Sequence, residues 1–222
     1  MACGPAWRRS GASSIGRISA SKKTLYATEQ HREAVAQARA DWRAEQPRLD
    51  PRRLVFLDET GASTNLTRTH GRCPRGERLL GYAPHGHWKT TTFVSGLRLT
   101  GIVAPLVIDC PMNSMIFRLY VEQCLLPELN EGDIVILDNL SSHKAANVRA
   151  LIEAKGAELR FLPPYSPDLN PIEQAIAKLK AHLRRAAERT LDTLWTRIGQ
   201  IIDTITPTEA ANYLRDAGYE PN

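Results

Sequence analysis

Two short apolar runs each close on an aspartate: Leu54-Val55-Phe56-Leu57 before Asp58, and Ile134-Val135-Ile136-Leu137 before Asp138. Four successive apolar residues with β-branching predict a strand buried on both faces. Residues 88–97 and 101–108 predict two further strands joined by a turn at 98–100, and residues 159–162 predict a fifth. Elsewhere apolar positions recur every three to four residues and predict helices. These cover 28–46 (Val35, Ala38, Trp42), 114–129 (Ile116, Leu119, Tyr120, Cys124) and 141–155 (Val148, Leu151, Ile152). Three more follow: one from Asn170 onward with a stripe of Ile172, Ile176, Leu179 and Leu183, then 191–205 and 208–217. Thr28 and Asn170 are predicted N-caps, with Pro171 at the first helical position and Glu173 at the third. Pro47 ends the first helix, whose Arg32, Arg39 and Arg43 read as an ordinary solvated face, and Gly156 ends the third. Residues 61–87 are polar and glycine-rich and predict loops with room for a short hairpin.

Three early strands joined by short turns suggest an antiparallel meander. Later strands alternate with helices, which favours parallel additions. The expected fold is α/β, a mixed five-stranded sheet flanked by helices.

Charge divides the chain. Residues 1–53 hold 11 Lys/Arg and 5 Asp/Glu, while residues 54–222 hold 18 and 19. The basic excess thus belongs to the N-terminal quarter, either an arm for a polyanion or a solvated basic tail. Three parts are expected: an N-terminal segment over 1–21 without apolar periodicity, a basic helical arm over 22–51, and a catalytic domain over 52–222. No apolar run approaches the ~18 residues of a membrane helix. Arg8, Arg9 and Arg17 interrupt any leader-like stretch. Cys3, Cys73, Cys110 and Cys124 show no close pairing and read as reduced thiols. Together these features predict a cytoplasmic protein with no membrane contact.

Candidate chemistry centres on three acids. A carboxylate leaving a buried strand cannot stay unpaired in the core. If the strands ending at Asp58 and Asp138 are neighbours, their anions repel unless a divalent cation lies between them. Hard oxygen ligands suit Mg²⁺ or Mn²⁺. Glu173, at a helix start, completes a set fit for two-metal phosphoryl transfer. Singly, each acid also has a local reading: a strand terminator, an Asp138-Asn139 turn, a capping-box glutamate bonding back to Asn170. Glu59 alternates to the opposite side of its strand and is not counted as a ligand. Four prolines between 163 and 171 stiffen the loop that delivers Glu173.

Three motifs carry a resemblance: Leu57-Asp58-Glu59-Thr60-Gly61, Leu137-Asp138-Asn139-Leu140-Ser141-Ser142-His143-Lys144, and Leu162-Pro163-Pro164-Tyr165-Ser166-Pro167-Asp168-Leu169-Asn170-Pro171-Ile172-Glu173. From about Lys22 to Tyr219 the chain resembles the catalytic domain of DDE transposases of the mariner-like superfamily, in its bacterial insertion-sequence branch. The spacing between Asp138 and Glu173 matches the glutamate-bearing members. The resemblance implies a ribonuclease-H-like fold and two Mg²⁺ ions, with Mn²⁺ as a substitute. It also implies cleavage of double-stranded DNA at element ends and transfer of a 3′-hydroxyl to target DNA, with a homodimer as the expected assembly. Asp58, Asp138 and Glu173 become the catalytic, metal-binding acids. Relatives of this kind carry an N-terminal helix-turn-helix region for which this chain has no counterpart before Asp58. A frame-split half or a decayed copy is the corresponding expectation.

Other residues leave alternatives open. Asn139 and His143 are placed either to contact phosphate or orient a water, or to cap a local turn. Lys178, His182, Arg185 and Arg189 fall on one helical face, with Lys180 and Arg184 beside it. They read as a DNA-phosphate track or as a solvated helix face. His70, Cys73, His85 and His87 fit no strong zinc spacing. No phosphate-cradling, nucleophile-elbow or dinucleotide motif is present. The rival functions are a nuclease on the same fold without strand transfer, and an inactive DNA-binding remnant.

Overall fold

The structure is a computed structural model that describes residues 27–138 and 146–220. The 1–21 segment, Asn139 and His143 therefore lie outside the described residues.

Five strands form one sheet in the order β3-β2-β1-β4-β5. They are β1 (Leu54–Ser63), β2 (Thr90–Arg98), β3 (Gly101–Ile108), β4 (Ile134–Leu137) and β5 (Glu158–Phe161). The first three form an antiparallel meander, and β4 and β5 add in parallel to β1. This is the expected mixed sheet. One boundary differs in a way that matters. β1 runs five residues past Asp58 because its polar second half pairs with β2, from Asp58↔Ser95 to Ser63↔Thr90. Asp58 therefore lies within β1, at the point where β1 leaves β4, and does not end the strand. Asp138 does follow directly on β4.

The helices are α1 (Glu33–Glu45), α2 (Ser114–Tyr120), α3 (Ala146–Ala154), α4 (Ile172–Ala186), α5 (Leu191–Ile202) and α6 (Pro207–Asp216). Thr28 does not cap α1. It opens a separate 3₁₀ turn, Thr28–His31, and extended Arg32 then precedes the helix. The helix expected over 114–129 changes pitch instead of continuing: α2 passes into a π-helical turn, Val121–Leu125, and a 3₁₀ turn, Leu126–Glu128. Pro127 cannot donate the bond that would continue the ladder. The expected start of the third helix, at Ser141, lies outside the described residues. Among the described residues no helix is long and apolar enough to cross a membrane.

Strand alternation sorts the core into two faces. Val55, Leu57, Val135 and Leu137 face α2, its π-helical turn and α3, against Phe117, Val121, Val148 and Ile152. Leu54, Phe56, Leu97 and Ile136 face the other way, onto Ile172, Ala175 and Ile176 of α4 and Leu214 of α6. Leu179 and Leu183 of α4 then meet Leu194 and Ile198 of α5 over Ala62 and Phe93. Burying each such leucine or isoleucine is worth about 2 kcal/mol relative to leaving it in water. The α4 stripe therefore holds the helix firmly to the sheet, and the first turn of α4 carries Glu173.

Gly96 permits close layering within the meander. A Cβ there would lie 2.9 Å from Val103 Cγ2 and 3.2 Å from Val55 Cγ1. The β2–β3 register shifts between Val94 and Gly96, and such a bulge adds local twist beside Ser95, the partner of Asp58.

Candidate active site

Parallel pairing of β1 and β4 aligns Leu54 with Ile134, Val55 with Val135 and Phe56 with Ile136. The same offset carried two residues further, just past the paired stretch, would set Asp138 opposite Asp58. Period-two alternation turns both carboxylates to the face of Phe56 and Ile136, which is the face covered by α4. Glu59 falls on the opposite face. Pairing of β4 with β5 continues through Leu162, whose N–H donates to the Leu137 carbonyl at 2.8 Å. The proline-rich loop thus leaves the sheet beside Asp138 and returns to it at Glu173.

That loop encloses a cavity of about 390 Å³ lined by Asp138, Leu162, Pro164, Tyr165, Ser166, Pro167, Asn170 and Glu173. Asp58 adjoins it through Asn170, whose Nδ2 donates to Asp58 Oδ2 at 3.3 Å. The other oxygen, Asp58 Oδ1, accepts from the Glu59 N–H at 2.7 Å. Asp58 and Asp138 are partly buried, while Glu173 is exposed at the helix start. The structure thus brings the three acids to the surroundings of one cavity. Among the described residues no three His, Cys, Asp or Glu side chains close on a common point.

The donor chemistry suits a hard divalent cation: carboxylate oxygens, an amide oxygen and a hydroxyl. Two buried polar atoms beside Asp58 add to this. Ser95 Oγ and Asn170 Oδ1 have no hydrogen-bond partner. Ser95 is the direct cross-strand partner of Asp58 and shares its face. Buried polar atoms are normally satisfied. Two such atoms flanking one carboxylate leave hydrogen-bonding or ligating capacity there for a polar group to meet.

Asn170 departs from its expected role. It does not cap α4; Pro171 occupies the cap position with no side-chain bond, and the Asn170 amide reaches across to Asp58. Asn170 is only 4% exposed. No local signal distinguishes such an asparagine from a cap, because its partner is remote in sequence.

The loop is pinned from outside by residues read from sequence as solvated. Arg39 of α1, 7% exposed, donates to both oxygens of Asp168 at 2.9 and 2.7 Å and to Ser166 Oγ at 2.7 Å. Arg39 holds Asp168 below the usual carboxylate range, chiefly by this hydrogen bonding and against the opposing effect of burial. Tyr165 takes a left-handed backbone, φ 56°.

The expected cation track divides. α4 ends at left-handed Ala187, φ 55°, so Arg189 lies beyond the helix and does not extend its face. Arg189 donates instead to the carbonyls of Thr64 and Leu66 at 2.9 and 3.0 Å. Lys178 is paired with Glu209 of α6 at 2.7 Å. Arg184 and Arg185 remain on a groove that they share with Arg68 and His70. Lys180 and His182 are half-buried on α4 outside that lining.

The fold has close counterparts among solved structures. The Mos1 strand transfer complex matches with a TM-score of 0.65 and 19% identity, over 93% of this chain and 64% of that one. The mariner Mos1 paired end complex with Mg matches at 0.66 and 18%, over 93% and 64%. The catalytic domain of Mos1 mariner transposase matches at 0.61 and 17%, over 90% and 93%. The chain therefore spans about two thirds of the Mos1 chains in those complexes and nearly all of the isolated catalytic domain. These likenesses establish a ribonuclease-H-like fold. No match was found among the curated proteins. The sequence pattern of the DDE superfamily endonucleases fits residues 53–195, from the start of β1 into α5. With well over half its length inside that pattern, the chain belongs to the DDE superfamily of endonucleases.

Proposed function

We propose that this chain is the catalytic part of a DNA transposase of the mariner-like superfamily, in its bacterial insertion-sequence branch, acting in the cytoplasm. Its substrates are double-stranded element ends and target DNA, and a homodimer brings two ends together. Residues 52–222 form the catalytic unit and residues 22–51 an arm leading into it. The observation that carries the reading is the gathering of Asp58, Asp138 and Glu173 about one cavity beside two orphaned buried polar atoms.

Asp58, Asp138 and Glu173 would hold two Mg²⁺ ions, with Mn²⁺ as a substitute. Bound there, the ions would supply Lewis-acid activation of the attacking oxygen and stabilise the departing 3′-oxygen of the phosphodiester. The chain's own contribution is placement. The Glu59 N–H and the Asn170 amide fix both oxygens of Asp58. The β1–β4 pairing that precedes both aspartates would set Asp138 level with it, and the α4 stripe supports the helix whose first turn carries Glu173. A scaffold of this kind lowers the barrier by preorganisation.

The experiment is metal-dependent nicking of supercoiled plasmid by the full chain, compared with Asp138→Asn, followed by a strand-transfer assay. Nicking that requires Mg²⁺ or Mn²⁺, falls to background in the folded variant and is accompanied by joined products supports the proposal. Nicking without joining indicates a nuclease on this fold. DNA binding with no turnover indicates an inactive remnant. Undiminished nicking by Asp138→Asn removes the assignment.

A further inference from the structure

The turn that delivers Glu173 is contacted by a helix that precedes the endonuclease pattern. Residues 165–169 lie between β5 and α4 and contain only a short 3₁₀ turn, Pro167–Leu169. Their internal bonds are local: Ser166 Oγ to the Pro164 carbonyl, and the Leu169 N–H to the Ser166 carbonyl. Such bonds shape a turn without orienting it against the sheet. Leu169 anchors one end of the turn in the core against the sheet, and the polar contacts on the rest of it come mainly from α1 and the residues just ahead of it. The Arg39 guanidinium grips Asp168 through two nitrogens and reaches Ser166 with one of them. Gln30, just ahead of α1, donates to the Tyr165 carbonyl at 2.6 Å, and Arg43 adds a longer contact to Asp168 at 3.2 Å. Trp42 Nε1 donates to the Tyr219 hydroxyl, which donates to the Leu169 carbonyl, each at 2.9 Å. A left-handed Tyr165 persists only where its surroundings over-determine it.

We propose that Arg39 is a positioning residue of the active site: from α1 it fixes the 165–169 turn, and through that turn Asn170 and Glu173 against Asp58 and Asp138. A two-nitrogen guanidinium–carboxylate contact fixes direction as well as distance, and lysine supplies only a point charge. The inference rests on the catalytic reading above, because a rate is one of its readouts.

The test uses the full chain and three variants: Arg39→Ala, Arg39→Lys and, as a control on the exposed pair of Arg52 with Asp50 just ahead of β1, Arg52→Ala. Two readouts are taken. The first is Mn²⁺-supported nicking of supercoiled plasmid, separated into the rate at saturating DNA and the DNA midpoint. The second is hydrogen exchange of the amides of 165–173 and of β1 and β4. Arg39→Ala is expected to lower the saturated rate by about 10²-fold, the scale of a misplacement near 1 Å. The DNA midpoint should stay within about twofold, since no Arg39 contact is assigned to phosphate. Arg39→Lys should recover part of the rate, and Arg52→Ala should match the parent. Exchange should quicken at 165–173 while the strands stay protected. A parental rate in Arg39→Ala, or unchanged exchange at 165–173, overturns the proposal. If the parent itself does not nick DNA, the catalytic reading fails and the exchange comparison still decides the brace. If Arg39→Ala does not fold, Arg39→Lys carries both comparisons.

Discussion

The side-chain amide of Asn170 reaches Asp58 Oδ2 at 3.3 Å and ties the third motif of the chain to the first. Asn170 is buried, and its Oδ1 has no hydrogen-bond partner. Replacing it by aspartate, at nearly constant volume, adds an anion beside Asp58. Without metal the repulsion should lower the melting temperature. With Mn²⁺ the added carboxylate gains a partner, so the metal-induced rise in melting temperature should exceed that of the parent. Thermal unfolding with and without Mn²⁺ measures both quantities. A smaller metal-induced rise in Asn170→Asp would show that the Asn170 side chain does not face the cation.

Much of this arrangement is legible in the residue pattern, and the remainder is not for identifiable reasons. Leu54–Leu57 and Ile134–Leu137 read as buried strands because four apolar residues in a row leave few alternatives, and both are strands. The α4 stripe of Ile172, Ile176, Leu179 and Leu183 is equally readable, since one period accounts for every buried position. The extension of β1 through Glu59–Ser63 is not readable. Those residues become strand by pairing with β2, a partner supplied from about 30 positions away in the chain. Asn170 reads as a cap and Arg39 as a solvated cation because local rules see only neighbours. Their partners lie 112 and 129 residues distant. The motifs single out the three acids only as candidates, and the residues that surround them emerge only from the tertiary structure.

The pairing of Arg39 with Asp168 has a pH signature. The folded-state pKa of Asp168 is lowered, first by hydrogen bonding to Arg39. A depressed carboxylate contributes stability that is complete above its unfolded value of ~3.9 and is lost as pH falls through the lower folded value. Asp168→Asn removes that contribution at neutral pH and should leave little difference in strong acid. Urea midpoints of the two proteins should therefore differ at pH 7 and converge between about pH 5 and pH 2. Asp168 is about one third exposed, so solvent screening keeps the neutral-pH gap modest. A gap that persists undiminished to the acid end would mean that the ion pair does not produce it.

The cations of α4 and its C-terminal flank should not contribute equally to DNA affinity. Lys178 is held by Glu209 and by the Thr204 carbonyl, and Arg189 by two backbone carbonyls. Arg184 and Arg185 share an open groove with Arg68 and His70, where a phosphate can be met without breaking an internal pair. Each phosphate neutralised releases condensed counterions, so the slope of log affinity against log salt should fall by about 1 for each engaged cation removed. Arg184→Ala with Arg185→Ala should therefore flatten the slope by about 2 and weaken random duplex binding. Lys178→Ala should leave the slope near the parental value and lower the melting temperature, because Glu209 keeps the Tyr213 hydroxyl but loses the hydrogen bond from Lys178 that chiefly lowers its pKa. Fluorescence anisotropy of a labelled duplex across a salt series, with melting curves alongside, separates the two classes. An unchanged slope in the double variant would remove the groove from the DNA path. An equal loss of slope in Lys178→Ala would show that its pairing with Glu209 opens on binding.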